Sequence, residues 1–226
     1  MSDKFILFNE RMVEAIQDGV KTQTRRVIKT PSHIDQNHFT IFGADYYPSS
    51  TFVHWPFDDA VEERMPPCSY GKPGDRLLVR ERCQIYGHWV RNGVTRTGRQ
   101  RWRFSTHASH QVRYAGDFVA QPKDREELGF WNRPSIFMPR WAVRIVLEIV
   151  EVCAQRLQEI SEEDAKAEGV ESYIKTLHPV EQARGVLSTR YYTSHFSRLW
   201  DSINAERGYG WDSNCWVWAI TFKLSQ

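Results

Sequence analysis

The chain has 226 residues, four cysteines and a formal charge of +2, with 30 Lys and Arg set against 28 Asp and Glu. That length suits one domain with insertions, or at most two small ones, and is enough to bury a real core. The near balance of charge rules out an argument for nucleic-acid binding from net charge alone, so any such argument rests on local clusters.

The opening MSDKFILFNERM has no long apolar run. No signal peptide or membrane anchor is expected, which disfavours secretion and membrane spanning. Phe5 to Phe8 reads as a short buried strand. Asn9 is placed to cap a helix from Glu10 to about Asp18, with Met12, Val13 and Ile16 as its apolar stripe and Gly19 as its stop. The segment Val20-Lys-Thr-Gln-Thr-Arg-Arg-Val27 follows.

From about 28 to 70 the pattern breaks up, punctuated by Pro31, Pro48, Pro56, Pro66 and Pro67. It reads as an irregular insertion with a hairpin near Phe39 to Phe42. Lys72-Pro-Gly-Asp75 is a type II turn signature, because proline presets the second turn position and glycine accepts the positive φ of the third. Arg76 to Arg80 is the strand after it, ending at Glu81. Residues 84–137 again lack a sustained period. Within them, 91–103 is basic, with Arg91, Arg96, Arg99, Arg101 and Arg103 around Trp102, and reads as a hairpin or mobile loop.

Trp141 to Val152 is the clearest strand, with Val143, Ile145, Leu147 and Ile149 on one face. Ser161-Glu-Glu-Asp164 opens a short helix that runs through Glu168 and stops at Gly169. A longer helix spans about Ser188 to Ala205, with Tyr192, Phe196, Leu199, Trp200 and Ile203 along one face. Gly208 to Asn214 is turn-rich. Cys215 to Leu224 is a closing strand that sets Trp216, Trp218, Ile220, Phe222 and Leu224 on one side. This order of elements argues for a mixed sheet or small barrel with helices at its ends.

The cysteines are far apart and form no Cys-x-x-Cys pair, so a disulfide framework or zinc ribbon is disfavoured and reduced thiols in a cytoplasmic protein are expected. His107-x-x-His110 has helical ligand spacing, yet no cysteine or carboxylate pair stands near it in a recognised pattern. Neither a metal site nor a cofactor is expected. The nine tryptophans are assigned first to packing and only secondarily to base stacking.

Four segments, in this order, resemble the ASCH family of the PUA-like superfamily, particularly its longer members often found in phages and prophages. They are Ile6-Leu-Phe8 with the helix and Gly19-Val-Lys-Thr-Gln-Thr-Arg-Arg26, Pro73 to Glu81, Met138 to Arg144, and Leu157 to Gly169. The closing Gly210 to Trp218 is similar to the final strand of those members, although Cys215 stands where a proline is common. The resemblance covers about half of the chain. It implies an α+β fold: a PUA-like small mixed β-barrel with flanking helices, here one domain over 1–226 with irregular insertions at about 28–70 and 84–137.

One small bacterial branch of that family removes an acyl group from the exocyclic amine of cytidine. Its motif residues match Lys21, Thr24 and Glu168 here. The resemblance therefore implies Lys21 as the base, Thr24 as the nucleophile and Glu168 as the acid/base or orienting group. A neutral lysine can take a hydroxyl proton when burial or a neighbouring cation lowers its pKa, and Arg25 or Arg26 would supply such a field. In an ideal strand, positions i and i+3 point to opposite faces, so Lys21 and Thr24 cooperate only if the chain turns or bulges after Gly19.

Thr22, Arg25, Arg26, Glu81 and Trp102 are the candidate substrate- or nucleic-acid-binding residues, the arginines for phosphate and Trp102 for stacking a base. A structural ion pair with Arg26 or Arg80 is the slightly favoured reading of Glu81. The implied partner is RNA or a modified nucleoside. The rival readings are a non-catalytic RNA-binding module, a ribonuclease using the same cleft, and an accessory protein that docks a protein partner through the insertions.

Overall fold

The computed structural model describes residues 2–29, 40–41, 52–54, 63–64, 68–175, 177, 179 and 190–225. In chain order the strands are β1 (Asp3–Leu7), β2 (Gln23–Val27), β3 (Thr40–Ile41), β4 (Phe52–His54), β5 (Glu63–Arg64), β6 (Arg76–Arg80), β7 (Cys83–Val94), β8 (Gln100–Thr106), β9 (Val112–Arg113), β10 (Gly129–Arg133), β11 (Val146–Arg156) and β12 (Trp216–Leu224). The helices are α1 (Glu10–Gln17), α2 (Glu162–Ala167), α3 (Val170–Ile174) and α4 (Tyr191–Asn204). The fold is mixed α+β. By internal contact the chain forms two compact units, one of residues 1–4, 11–77 and 146–226, the other of residues 5–10 and 78–145.

A five-stranded sheet runs in the order β1-β6-β11-β12-β2, of which β11, β12 and β2 lie wholly in the first unit. Strand β12 lies between β11 and β2 and is antiparallel to both. Its Trp218, Ile220 and Phe222 are buried as the alternation requires, but Val217 and Ala219 on the other face are buried too. The second face is covered because Val217 joins a core with Leu157, Ala165, Val170, Phe196 and Trp200, contributed largely by α2, α3 and α4. A β-bulge between Ile149 and Glu151 interrupts the β11–β12 register. Inward burial therefore moves from Leu147 and Ile149 to Val152 and Ala154, while Val150 is exposed.

Some elements fall where the sequence puts them. The turn at Lys72–Asp75 closes with an Asp75 N–H to Lys72 carbonyl bond of 2.9 Å, and Gly74 has φ +85°. Ser161 Oγ accepts from the Asp164 N–H at 3.0 Å and opens α2. Others are corrected. The apolar run Phe5–Phe8 is buried on one face only: Ile6 and Phe8 are inside, whereas Phe5 and Leu7 are exposed. The clear strand begins at Val146, because a 3-10 turn at Arg140–Ala142 follows Pro139. Helix α4 starts at Tyr191; residues 188 and 189 lie outside the described residues. Its buried positions are His195, Phe196 and Trp200, and Ile203 faces outward.

The second unit is the larger departure. Residues 83–133 form a regular antiparallel sheet in the order β10-β7-β8, with β9 also paired to β7. Cys83, Ile85, Met138 and Ala142 form its core, with Phe104, Val112 and Tyr114 packed against them. Gly87 breaks the apolar face of β7 while Tyr86 and Val90 put apolar groups on the other face, so no strand period is visible there. Of the stretch 28–70, the described short strands β3, β4 and β5 form a three-stranded sheet, in which Ile41 pairs with Val53. Phe39, Phe42 and Pro31, Pro48, Pro56, Pro66 and Pro67 lie outside the described residues. No helix among the described residues is long and apolar enough to cross a membrane.

Candidate functional site

The site begins with the way α1 stops. Gly19 takes φ +70°, and the N–H groups of Gly19 and Val20 return to the carbonyls of Ile16 and Ala15. This is the pair of backbone hydrogen bonds of a Schellman stop, which needs a residue tolerant of left-handed backbone. The Lys21 N–H also reaches the Ala15 carbonyl, at 2.8 Å. Lys21 thus sits in a hook before β2 and escapes strict strand alternation.

Its side chain runs inward. Lys21 is only 2% exposed, and its ammonium donates to Glu168 Oε2 at 2.7 Å, to the Glu168 carbonyl at 2.7 Å and to the Gln23 carbonyl at 2.8 Å. Glu168 caps α2, so the Lys21 cation also meets the carbonyl end of a helix, where positive charge is favoured. The Thr22 N–H donates to the Ala167 carbonyl at 2.8 Å and ties the hook to the same helix end. Gly169 completes the fit. Its φ is +81°, and a Cβ there would stand 3.0 Å from Lys21 Cβ and 3.4 Å from Ala15 Cβ. Both the backbone and the space call for glycine at this position.

Arg25 closes the cluster from β2. Its guanidinium donates to Glu168 Oε1 at 3.3 Å, to Asp164 Oδ2 at 2.9 Å and to Gln23 Oε1. With the Gln155 amide oriented by its partners, the Gln155 oxygen accepts from Arg25 Nε at 3.1 Å and Nη2 at 2.7 Å. Arg25 is therefore surrounded by acceptors and fully buried; it positions Glu168 and presents no open face to a phosphate. Asp164 and Glu168 are four apart on one helical face, which is why a single guanidinium reaches both.

Burial is the main force on Lys21. It pushes the ammonium pKa down from the ordinary lysine value; Glu168 opposes this, and the positive fields of Arg26 and Arg25 add to it. Burial also lowers the Arg26 pKa, against the fields of Tyr70 and Glu168.

Lys21, Arg25 and Glu168, three of the residues singled out from sequence, meet in one buried cluster. The pleat of β2 places Thr24 and Arg26 on the face opposite Gln23 and Arg25, alongside their register partners Ile220 and Trp218. Thr24 is buried there and is not among the Lys21 ammonium's partners described above. Thr22 is exposed, and its carbonyl accepts from the Phe222 N–H at 2.9 Å. Glu81 is an ion-pair residue, but its partner is Arg144, held through two hydrogen bonds of 2.8 and 3.0 Å, and not Arg26 or Arg80. Arg80 lies over the Phe5 ring at 3.7 Å. Trp102 is half-buried, with the Arg125 guanidinium 5.4 Å from its ring centre.

Three members of the cluster were missed in sequence: Gln23, Gln155 and Asp164. The spacing of Asp164 and Glu168 was a readable signal for one of them; the two amides carried none. A separate cavity of about 540 Å³ is lined by Gln158, Glu162, Arg190, Thr193 and Trp211, among others. Its Glu162 carboxylate accepts the Tyr192 and Thr193 N–H groups at 2.7 and 2.9 Å and so serves to cap α4. Among the described residues, no group of three or more His, Cys, Asp and Glu is placed to hold a metal ion. The four cysteines are thiols, none joined in a disulfide, and burial pushes the Cys68 and Cys83 thiols up to about 11.

No family model, curated protein or solved structure matches the chain.

Proposed function

We propose that the protein is an ASCH-type hydrolase with a PUA-like barrel, acting on an acylated or otherwise modified cytidine, with Lys21 as its base. The observation that carries this reading is the meeting of Lys21 and Glu168, 147 positions apart in sequence, as a 2.7 Å pair shielded from water. A surface lysine keeps its proton at neutral pH. One buried beside two arginines holds it less firmly, which is what a general base requires.

In the proposed reaction, substrate binding brings the Thr24 hydroxyl, which lies across β2 from the Arg25 side of the cluster, to neutral Lys21, which takes its proton as Thr24 Oγ attacks the acyl carbonyl. The C–N bond to the cytosine breaks, and the amine leaves with a proton passed on by Lys21 or Glu168. Water then hydrolyses the acyl-threonine and releases the carboxylate. Arg25 acts as a positioning residue for Glu168. Arg26, on the same face of β2 as Thr24, is placed to face the developing oxyanion.

The test is turnover of N4-acetylcytidine by purified protein, followed by chromatography. Release of cytidine and acetate is expected. Lys21→Met should abolish it with the circular-dichroism spectrum unchanged, and Thr24→Val should do the same. No turnover by the wild type, or turnover that survives Lys21→Met, overturns the reading. Activity that survives Thr24→Val alone removes Thr24 as nucleophile and assigns the attack to water. Cleavage of unmodified RNA under the same conditions favours the ribonuclease alternative.

A further inference from the structure

Charge is divided unevenly between the two units. Residues 5–10 and 78–145 hold 13 Lys and Arg against 6 Asp and Glu, while the rest of the chain holds 17 against 22. The near-neutral total conceals a basic unit of about +7 and an acidic one of about −5. Between Glu81 and Asp117 there is no acidic residue at all, but there are seven arginines and three histidines.

The sheet of the second unit sorts these side chains by face. Ile85 and Trp131 are register partners on its inner face, both buried, with Trp89 and Phe104 paired farther along. The outer face carries the other parity. There Tyr86 pairs with Phe130, His88 with Ser105 and Val90 with Arg103. Tyr86 and Phe130 are half-buried with ring centres 5.1 Å apart, and the Arg113 guanidinium lies 4.6 Å from the Phe130 ring centre. Arg101 and Arg103, two apart on β8, are exposed on this face about 6.8 Å apart along the strand.

Arg96, Arg99, Arg101 and Arg103 are all exposed, and none makes an ion pair among the described residues. Arg91, on the other face, pairs with Glu126 at 2.7 Å. Four uncompensated arginines on one hairpin repel one another and contribute nothing to the core. A polyanion removes that repulsion, and aromatic rings on the same face give bases somewhere to stack. Unstacked bases are open to such rings only in a single strand.

We infer that the outer face of β10, β7 and β8 is a binding surface for single-stranded nucleic acid, with Arg101 and Arg103 on phosphates and Tyr86 and Phe130 under bases. This assigns stacking to the face opposite Trp102. The inference extends the proposed function from a nucleoside to a polymer carrying it, but the surface stands on its own observations.

The experiment is fluorescence anisotropy of a labelled 20-nucleotide uridine-rich RNA, titrated with full-length protein from 50 to 300 mM salt, with duplex RNA of equal length alongside. Tighter binding of the single strand is expected. Arg101→Glu with Arg103→Glu should weaken it at least tenfold and flatten the salt dependence by roughly 0.7 log units for each phosphate no longer engaged. Phe130→Leu keeps apolar bulk but not the ring face; it should weaken binding with the salt slope unchanged. The surface is refuted by no wild-type binding at 50 mM salt, by a preference for duplex, or by full affinity in the double arginine variant. Acetylcytidine turnover by that variant keeps the two readings apart: it should match the wild type, and its loss would refute a binding role confined to this face. Failure of turnover in the wild type, with RNA binding intact, would overturn the hydrolase and leave this surface standing.

Discussion

The buried cluster at the end of α2 and the hairpin of β7 and β8 use the same side-chain types in opposite ways. In the cluster, Lys21 and Arg25 are out of water and each is matched by carboxylates from α2. On the hairpin, four arginines stand in water and none makes an ion pair among the described residues. The first arrangement is costly to build, because removing charges from water is repaid only by well-placed partners. The second costs little in folding and leaves attraction available for something outside the chain. Exposure and pairing, more than the number of charges, separate a charge that organises its own protein from one that meets a partner.

The sharpest way to break the comparison is to remove one partner from the buried side. Glu168→Ala leaves Lys21 and Arg25 short of their shared carboxylate, and a loss of about 3–5 kcal/mol in urea unfolding is expected. Lys21→Met combined with Glu168→Gln should cost much less than the sum of the two single variants, because the pair is removed together. Additive losses would show that the two side chains are not coupled and would return Lys21 to an ordinary structural role.

The contrast was only half legible in sequence. Lys21, Thr24 and Glu168 came from a motif, and strand β6, the Lys72–Asp75 turn and the cap at Ser161 came from local chemistry, which a single stretch of chain expresses fully. The hook that frees Lys21 from strand parity was foreshadowed by Gly19, but its hydrogen bonds to Ala15 were not. Gln155 reaches Arg25 from β11 only because the long-range register puts it there, and no short window contains that fact. The sheet over 83–133 was hidden for a different reason. One face carries Gln84, Tyr86, His88, Arg101 and Arg103, so half of each strand is largely polar or basic, and Gly87 interrupts the apolar face. The segment was basic enough to be noticed and too irregular to be read as strands. Its charge was diluted in the whole-chain total by acidic residues elsewhere.

A smaller effect comes from pH. The Lys21 pKa is lowered from 10.5 in the folded protein. Between that lowered value and 10.5 the unfolded chain binds a proton that the folded chain does not, so stability rises with pH, by at most about 1.4 kcal/mol per pH unit. Below the folded pKa both states hold the proton, the slope vanishes and the cost of burying the cation is present in full. Lys21→Met should therefore remove an upward slope in stability on the alkaline side that the wild type shows. Equal slopes in urea titrations of the two proteins across that range would mean that burial does not shift this lysine.

The smallest effect tests the boundary of the hairpin's charge. Arg91 and Glu126 pair at 2.7 Å but are 70% and 49% exposed, so their attraction is screened by water. Glu126→Gln should change unfolding stability by less than about 0.5 kcal/mol, an order of magnitude below the buried pair. It also removes one of the few acids near the basic sheet and releases Arg91. If the hairpin holds its arginines open for a polyanion, that substitution raises affinity for single-stranded RNA a few-fold and steepens its salt dependence. A fall in affinity would assign the Arg91–Glu126 pair a part in shaping the surface. An unchanged affinity with an unchanged slope would confine the electrostatic footprint to the outer face, where Arg101 and Arg103 stand.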